Sequence, residues 1–384
     1  MLKQLLILLF LVSVLAGCGR ISSTGTGVAL PASPQNVALL VPLSGALAPY
    51  GNAIRNGFFT AYYTQKELSG YSPVITVYDS NNQSISALYQ QAVQAGNNVV
   101  VGPLNKTDVK TLIQSDSLTV PVLALNAIDN DENPNVYEFA LSPADEATQA
   151  AIKISADHHN KVIIFAPNTS AGKRLVTAFT TQWEKTGGAI IKTEYYDSHT
   201  LLSESVGNAL GVTQSNEEKR SLDKLFQRKM RYIPNRRQDF DSVFMIASPS
   251  VARQIVPLLR YYFVTNIPIY ATSLINDKKP DADLEGVEFC DLPWILAPTQ
   301  MPPVFAQMQQ RIQTLWPEDY ARYASFFAMG IDAYDLIPTL NHLRSGGVIL
   351  GATGVVSLHG QYIYRQLWWA KIVNRGSAGF GYQL

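Results

Sequence analysis

Two thiols, five histidines and a series of Ser, Gly, Asn and Asp residues set just after apolar runs are the side chains whose types could do chemistry in this 384-residue chain. The thiols are Cys18 and Cys290. Cys290 lies in Val287-Glu288-Phe289-Cys290, a short apolar pattern that predicts a buried core thiol rather than a reactive one. The histidines are His158, His159, His199, His342 and His359. No two stand at ligand spacing beside a carboxylate, and adjacent residues such as His158 and His159 point to different faces of a helix. The sequence has no G-x-S-x-G elbow, no H-E-x-x-H and no Walker loop, and Gly351-Ala352-Thr353-Gly354 lacks the lysine of a phosphate cradle. Asp129 and Asp131 fall in a stretch from Asn126 to Asn135 whose Asp, Asn and Pro content reads as a turn. These patterns predict neither catalysis nor a metal site. A formal net charge of zero with no basic stripe predicts no nucleic-acid partner.

The elements that must position any site follow a regular alternation. Val37-Ala38-Leu39-Leu40-Val41 is a continuous apolar run, as a strand buried on both faces requires. Strands are predicted at 73–78, 99–101 and 121–125, with helices over 52–66, 84–95 and 106–114 between them. A second block repeats the pattern: strand 161–166, helix 170–186, strand 189–196, strand 241–247, helix 250–262, strand 267–271. A polar segment in the 197–239 stretch is predicted helical over 216–232. Helix 320–343 and two strands near 354–358 and 364–372 close the chain. Such spacing demands right-handed βαβ crossovers. The predicted fold class is α/β and two-lobed, each lobe a doubly wound, mostly parallel sheet flanked by helices. Lobe one is expected over 36–140 plus part of 318–345, and lobe two over 141–317 plus C-terminal strands in 346–384. Trp368-Trp369 in the last strand reads equally as an exposed partner patch or as a pair buried between layers.

Ahead of this body, Lys3 and the apolar run Leu5–Val14 form a secretory leader too short to span a bilayer as a helix. Leu15-Ala16-Gly17-Cys18 resembles the lipobox of bacterial lipoproteins. That resemblance implies cleavage after residue 17 and a mature Cys18 carrying a diacylglycerol and an N-acyl chain such as palmitate, with no other cofactor. Cys290 would then be the sole remaining thiol, which excludes an intrachain disulfide. Gly19, where an inner-membrane retention signal has Asp, implies the periplasmic face of the outer membrane. Residues 18–35, rich in Gly, Ser, Thr and Pro, read as a flexible tether.

The body carries a further resemblance. Val41-Pro42-Leu43-Ser44-Gly45, Tyr50-Gly51, Arg55-Asn56-Gly57-Phe58, Val100-Val101-Gly102-Pro103, Gly330-Ile331-Asp332-Ala333-Tyr334-Asp335 and Gly351-Ala352-Thr353-Gly354 resemble stations of the type I periplasmic-binding-protein fold. Leu123-Ala124-Leu125-Asn126, Leu141-Ser142-Pro143-Ala144-Asp145-Glu146-Ala147 and Ala247-Ser248-Pro249-Ser250-Val251-Ala252-Arg253 extend the match over about 36–375. Together they resemble the LpoA-type activator lipoproteins of penicillin-binding proteins. The resemblance implies a non-enzymatic regulator that binds a class A penicillin-binding protein and stimulates its transpeptidase in cell-wall synthesis. Many members carry an N-terminal helical-repeat domain, so a short form without it is expected here. The alternative is a lipid-anchored solute receptor for an amino-acid-like ligand. In open α/β sheets ligands sit beyond the carboxyl ends of the strands. Ser44, Gly45, Tyr50, Asp79, Asn81, Gly102, Asn126, Tyr137, Asn168, Ser248 and Ser273 are therefore the candidate residues of an inter-lobe cleft. The same residue types also build turns and helix caps. Pro103-Leu104-Asn105, where amino-acid binders carry a small hydroxyl residue, argues against a standard amino-acid pocket.

Overall fold

The structure is a computed structural model that describes residues 30–374 and 380–383, less 32, 129–131, 198–200, 230–234 and 280. Leader, Cys18 and most of the tether lie outside the described residues. Among the described residues no helix is long and apolar enough to cross a membrane.

Two sheets carry the two lobes. The first is built from β1 (Asn36–Val41), β2 (Val74–Asp79), β3 (Val99–Val101), β4 (Val122–Ala124), β5 (Val136–Phe139), β11 (Ile349–Leu350), β12 (Val355–His359) and β13 (Tyr362–Gln366), in the order β11-β12-β13-β5-β4-β3-β1-β2. The second is built from β6 (Lys161–Pro167), β7 (Ala189–Tyr196), β8 (Ser242–Met245), β9 (Ile269–Ala271), β10 (Glu288–Asp291), β14 (Trp368–Asn374) and β15 (Phe380–Gln383), in the order β15-β14-β10-β9-β8-β6-β7. Within each lobe the pairings β1–β2, β1–β3, β3–β4, β4–β5 and β6–β7, β6–β8, β8–β9, β9–β10 are all parallel. The apolar runs are buried because helices cover both faces. Leu39 and Val41 face one core with Phe58 and Phe327, whereas Ala38 and Leu40 face another with Leu88 and Leu112. This is the two-lobed α/β architecture that the alternation predicts.

The chain crosses between the lobes three times, and two stretches sit in the other lobe from the one expected. Segment 292–317 was expected in lobe two, yet Trp294, Met301, Phe305, Met308 and Ile312 are buried in the first lobe's core. The C-terminal strands were likewise expected together in lobe two. Instead β11, β12 and β13 complete the first sheet, and β14 and β15 join the second. The reason lies in pairing. Strand β13 lies parallel to β5, with Tyr362 opposite Glu138 and Ile363 opposite Phe139. After Leu367 the chain continues as β14, antiparallel to β10. The predicted single strand 364–372 is thus divided at the crossing. Trp368 packs on the cores of both lobes and Trp369 on the outer core of the second, which favours the buried reading of that pair. The polar helix starts earlier than expected, spanning Val212–Leu225, because Gly211 enters it in the left-handed region at φ 72°. Residues 230–232 of its expected end lie outside the described residues.

Helices Ala48–Ser69 (α1) and Pro317–Arg344 (α11, numbering the helices in chain order) pack closely along the first lobe. Their approach depends on two glycines. A Cβ on Gly57 would stand 2.1 Å from the Phe327 carbonyl oxygen, and one on Gly330 would stand 2.1 Å from that of Ile54. Rigid backbone cannot yield that space. Gly330→Ala is therefore expected to destabilise the protein by about 1–3 kcal/mol, seen as a lower urea midpoint; an unchanged midpoint would refute this packing.

Candidate functional site

The eleven cleft candidates divide sharply once their contacts are known. Ser44, Gly45, Asp79 and Asn81 come together at the ends of β1 and β2, but they bind one another. Asp79 Oδ1 accepts from Leu43 N at 2.9 Å and Asn81 N at 3.0 Å, and Asn81 Nδ2 donates to Ser44 Oγ at 3.2 Å. Burial would raise the Asp79 carboxyl, yet hydrogen bonds from Leu43, Ser44 and Asn81 outweigh it and hold it below the usual carboxylate range. Gly45, at φ 72°, leaves room for the Asn81 amide. Gly102 is buried where a Cβ would strike the Leu40 carbonyl. Asn126 donates to Leu104 O at 2.9 Å and accepts from Ala127 N at 3.0 Å. Tyr50 packs edge-on against Tyr323 and tilted against Phe326 of α11, with ring centroids 5.2 and 4.9 Å apart. Tyr137, expected as a cleft wall, is 2% exposed within the core. Asn168 is exposed at the end of β6, and Ser248 meets Ser250 at 3.0 Å at a helix entrance. Turn and packing roles account for nine of these ten, and Asn168 keeps an exposed side chain.

Ser273 is different. It lines a cavity of about 410 Å³ walled by Leu141 and the first turn of Pro143–Ala156 (α4), by residues after β9 and β10, by β13 and by α11. The two lobes meet here. Helix α11 is kinked at Tyr323 (φ −124°, ψ 25°), and Ala321, Arg322, Ala324, Ser325 and Phe326 around the kink line the cavity. The Glu146 carboxylate accepts from Ser273 N at 2.8 Å and Ser273 Oγ at 2.9 Å. Asp291, 4% exposed, accepts from Asn276 Nδ2 at 2.9 Å and Leu292 N at 2.7 Å. Burial, then repulsion from Asp291, pushes Glu146 up to about 7. Burial likewise pushes Asp291 up to about 6. Arg365, 2% exposed, donates Nε to Ala140 O at 2.8 Å.

Sequence reasoning missed Glu146, Asp291 and Arg365. A signal existed for the last: Tyr362-Ile363-Tyr364-Arg365 puts an arginine in a strand of apolar and aromatic residues, where a charge must find a buried partner or a ligand. For Glu146 the sequence showed only an acidic first turn after Pro143, which reads as helix capping.

A further buried acid explains two of the sequence motifs at once. Asp332, fully buried, accepts from Ala352 N at 2.6 Å, Thr353 N at 2.7 Å and Thr353 Oγ1 at 2.5 Å. The Gly351-Ala352-Thr353-Gly354 loop is thus a cradle for an internal carboxylate. Cys290 is fully buried, and burial, then the charges of Glu146 and Asp291, pushes its thiol well up. Iodoacetamide is expected to leave Cys290 unmodified in the folded protein and to label it fully in urea, as intact-mass analysis would show; rapid native labelling would contradict the burial.

Known proteins match this architecture along its length. The family described as LppC putative lipoprotein matches residues 31–374. The chain belongs to that family. Among curated relatives, the penicillin-binding protein activator LpoA of Photobacterium profundum is 28% identical over 353 residues, covering 89% of this chain and 56% of the relative. That of Vibrio antiquarius is 29% identical over 354 residues, covering 88% of this chain and 57% of the relative. The LppC chain therefore spans a little over half the length of the curated relatives it matches. The solved LpoA (YraM) C-domain from Haemophilus influenzae, titled a regulator of PBP1A, superposes with a TM-score of 0.70 at 26% identity, covering 91% of this chain and all of that domain. A putative branched-chain amino acid ABC transporter from Rhodospirillum rubrum, at TM-score 0.68 and 17% identity, covers 91% of this chain and 99% of its own and shares the fold.

Proposed function

We propose that this LppC-family protein is a lipid-anchored activator of a class A penicillin-binding protein, stimulating its transpeptidase from the periplasmic face of the outer membrane. The observation that carries the reading is the full coverage of the Haemophilus influenzae LpoA C-domain by this two-lobed body, together with relatives named as activators over 89% of the chain. The protein is not itself an enzyme on this reading, and its only covalent group is the lipid on Cys18. Coupling arises from tighter binding to an active conformation of the synthase, worth about 1–3 kcal/mol as allosteric effects go. The solute-receptor alternative has less support. The strand-end residues such a receptor would present to a ligand are spent on their own loops, as with Asp79 and Asn126.

The test is addition of residues 36–384 to a purified class A synthase with lipid-linked substrate. Crosslinked product is expected to rise about fivefold or more at saturation. A crosslinking rate that does not change, with no complex detected between the two proteins, would overturn the reading.

A further inference from the structure

Phe263 stands at odds with its surroundings. It follows the helix Pro249–Tyr261 (α8) in the left-handed region at φ 62°, where Phe263 N donates to Arg260 O at 2.9 Å and Val264 N to Leu259 O at 3.0 Å. Glycine ends a helix in this conformation without steric cost, whereas a side chain does not. Burial of the ring would offset that cost, yet Phe263 is 78% exposed and Tyr261 is 72% exposed. The turn between them is firmly held. Val264 is buried in the core of lobe two and Tyr262 packs against it. Arg236 donates Nη2 to Phe263 O at 3.3 Å while its guanidinium lies over the buried Phe240 ring. Apart from the edge contact of Tyr261 with Tyr262, at 5.1 Å between centroids, no ring contact engages either exposed ring among the described residues. Two aromatic rings are thus fixed in water, one of them on backbone that favours glycine. Rigid aromatics beside arginine make up the energetic centres of protein interfaces.

The place of this turn in the molecule points to what covers it. The parallel strands of both lobes aim their carboxyl ends at the shared cavity, which Leu141 after β5, Ser273 after β9 and Leu292 after β10 line. Their amino ends therefore lie at two outer poles. The segment ahead of β1 is fastened at the pole of lobe one, where Asn341 near the end of α11 donates to Leu30 O at 3.2 Å and the Tyr71 hydroxyl donates to Pro34 O at 2.7 Å. Phe263, ahead of β9, lies at the pole of lobe two. Leu30 comes twelve positions after Cys18, a length of chain that reaches at most about 40 Å.

We propose that the Tyr261–Phe263 turn is the surface that docks on the penicillin-binding protein, its two rings entering an apolar depression on that partner. The proposal rests on the activator reading and names the face that reading requires. With the lipid on Cys18, the short chain to Leu30 keeps the pole of lobe one toward the bilayer, so a partner arriving from the periplasm meets the pole of lobe two first. Fixed rings lose little conformational freedom on binding, which favours them as anchors over longer, mobile side chains.

Phe263→Gly separates docking from folding. Because it relieves the left-handed backbone and removes a ring that is mostly in water, its Tm is expected at or above that of the parent. Its affinity for a purified class A synthase, measured with the mature lipoprotein in detergent, is expected to fall about tenfold, and the concentration giving half-maximal stimulation of crosslinking to rise by the same factor. Tyr261→Ala should act in the same direction. Leu68→Ala removes a side chain that is 66% exposed at the end of α1, on the opposite pole, and should change neither quantity. A Phe263→Gly protein that binds and stimulates as the parent does overturns the proposal and leaves the activator reading in place. A parent that neither binds nor stimulates removes that reading, and the proposal with it. Light scattering of the lipoprotein alone closes the remaining route: a dimer that Phe263→Gly dissolves, with stimulation intact, assigns the turn to a second copy of this chain and overturns the proposal.

Discussion

Asp332→Ala should lose about 3–5 kcal/mol of stability, the largest effect expected of any single substitution in this protein. The carboxylate is fully buried and takes three donors, the Ala352 and Thr353 N–H groups and the Thr353 hydroxyl. Removing it strands all three in a dry interior, at about 1–3 kcal/mol for each orphaned group. Part of that is returned because a desolvated carboxylate is also removed. The damage would not stay local. The cradle fastens α11 to the loop that launches β12 and β13, and β13 carries Arg365 into the inter-lobe cavity. Asp332→Asn should recover only part of the loss, since its amide nitrogen must face an N–H. Urea unfolding decides the matter: a lower midpoint with an unchanged slope is expected. An alanine variant within about 1 kcal/mol of the parent would show that the cradle contributes little.

The same interaction marks where the sequence stops being readable. Gly330-Ile331-Asp332 and Gly351-Ala352-Thr353-Gly354 were both recognisable as motifs, yet nothing in either said that one holds the other. Periodicity is a local property, and it revealed what depends on local properties. Val37–Val41 had to be a strand covered on both sides, because five consecutive apolar residues leave no polar face, and all five are fully buried. Partner choice is not local. Tyr362–Gln366 and Trp368–Asn374 read as one strand, but they belong to different sheets, since β13 finds the free edge of β5 while β14 finds β10. The site shows the same division. The strand-end rule led to Ser273 and to ten others, most of which serve their own loops and cores, with Asn168 exposed. Ser44 and Asn126 carry the right atoms, but only three-dimensional contacts reveal that those atoms are taken. Arg365 lies far in sequence from Glu146, and its meeting with it depends on the very crossover that periodicity could not assign.

The second large effect is an inverted pH profile: the protein should be more stable near pH 5 than at pH 8. Four carboxyls are raised, Asp332 and Asp291 buried and Asp335 and Glu146 half-buried. Burial, then the charge of Asp332, pushes Asp335 up to about 8, and burial pushes Asp332 up to about 6 despite its donors. Glu146 and Asp291 rise to about 7 and about 6. Within the Asp332–Asp335 pair the proton goes to Asp335, because Asp332 alone has three donors to hold its charge. In the unfolded chain all four lose their protons near pH 4. Between about pH 4 and pH 8 the folded protein therefore binds more protons than the unfolded one, and stability falls as pH rises through that window. Acids held low by their partners, such as Asp79, Asp157 and Asp239, act in the opposite direction and set the loss of stability below about pH 4. A gain of about 2–4 kcal/mol from pH 8 to pH 5 is expected, well below the simple sum because Glu146 and Asp335 are only half-buried. Asp335→Asn should be about 2 kcal/mol more stable than the parent at pH 8 and equal to it at pH 5, having discarded the proton demand while keeping the shape. Urea midpoints at the two pH values give both quantities. Stability that climbs steadily from pH 5 to pH 8, or an asparagine variant weaker than the parent at pH 8, would mean these carboxyls are better solvated than their burial implies.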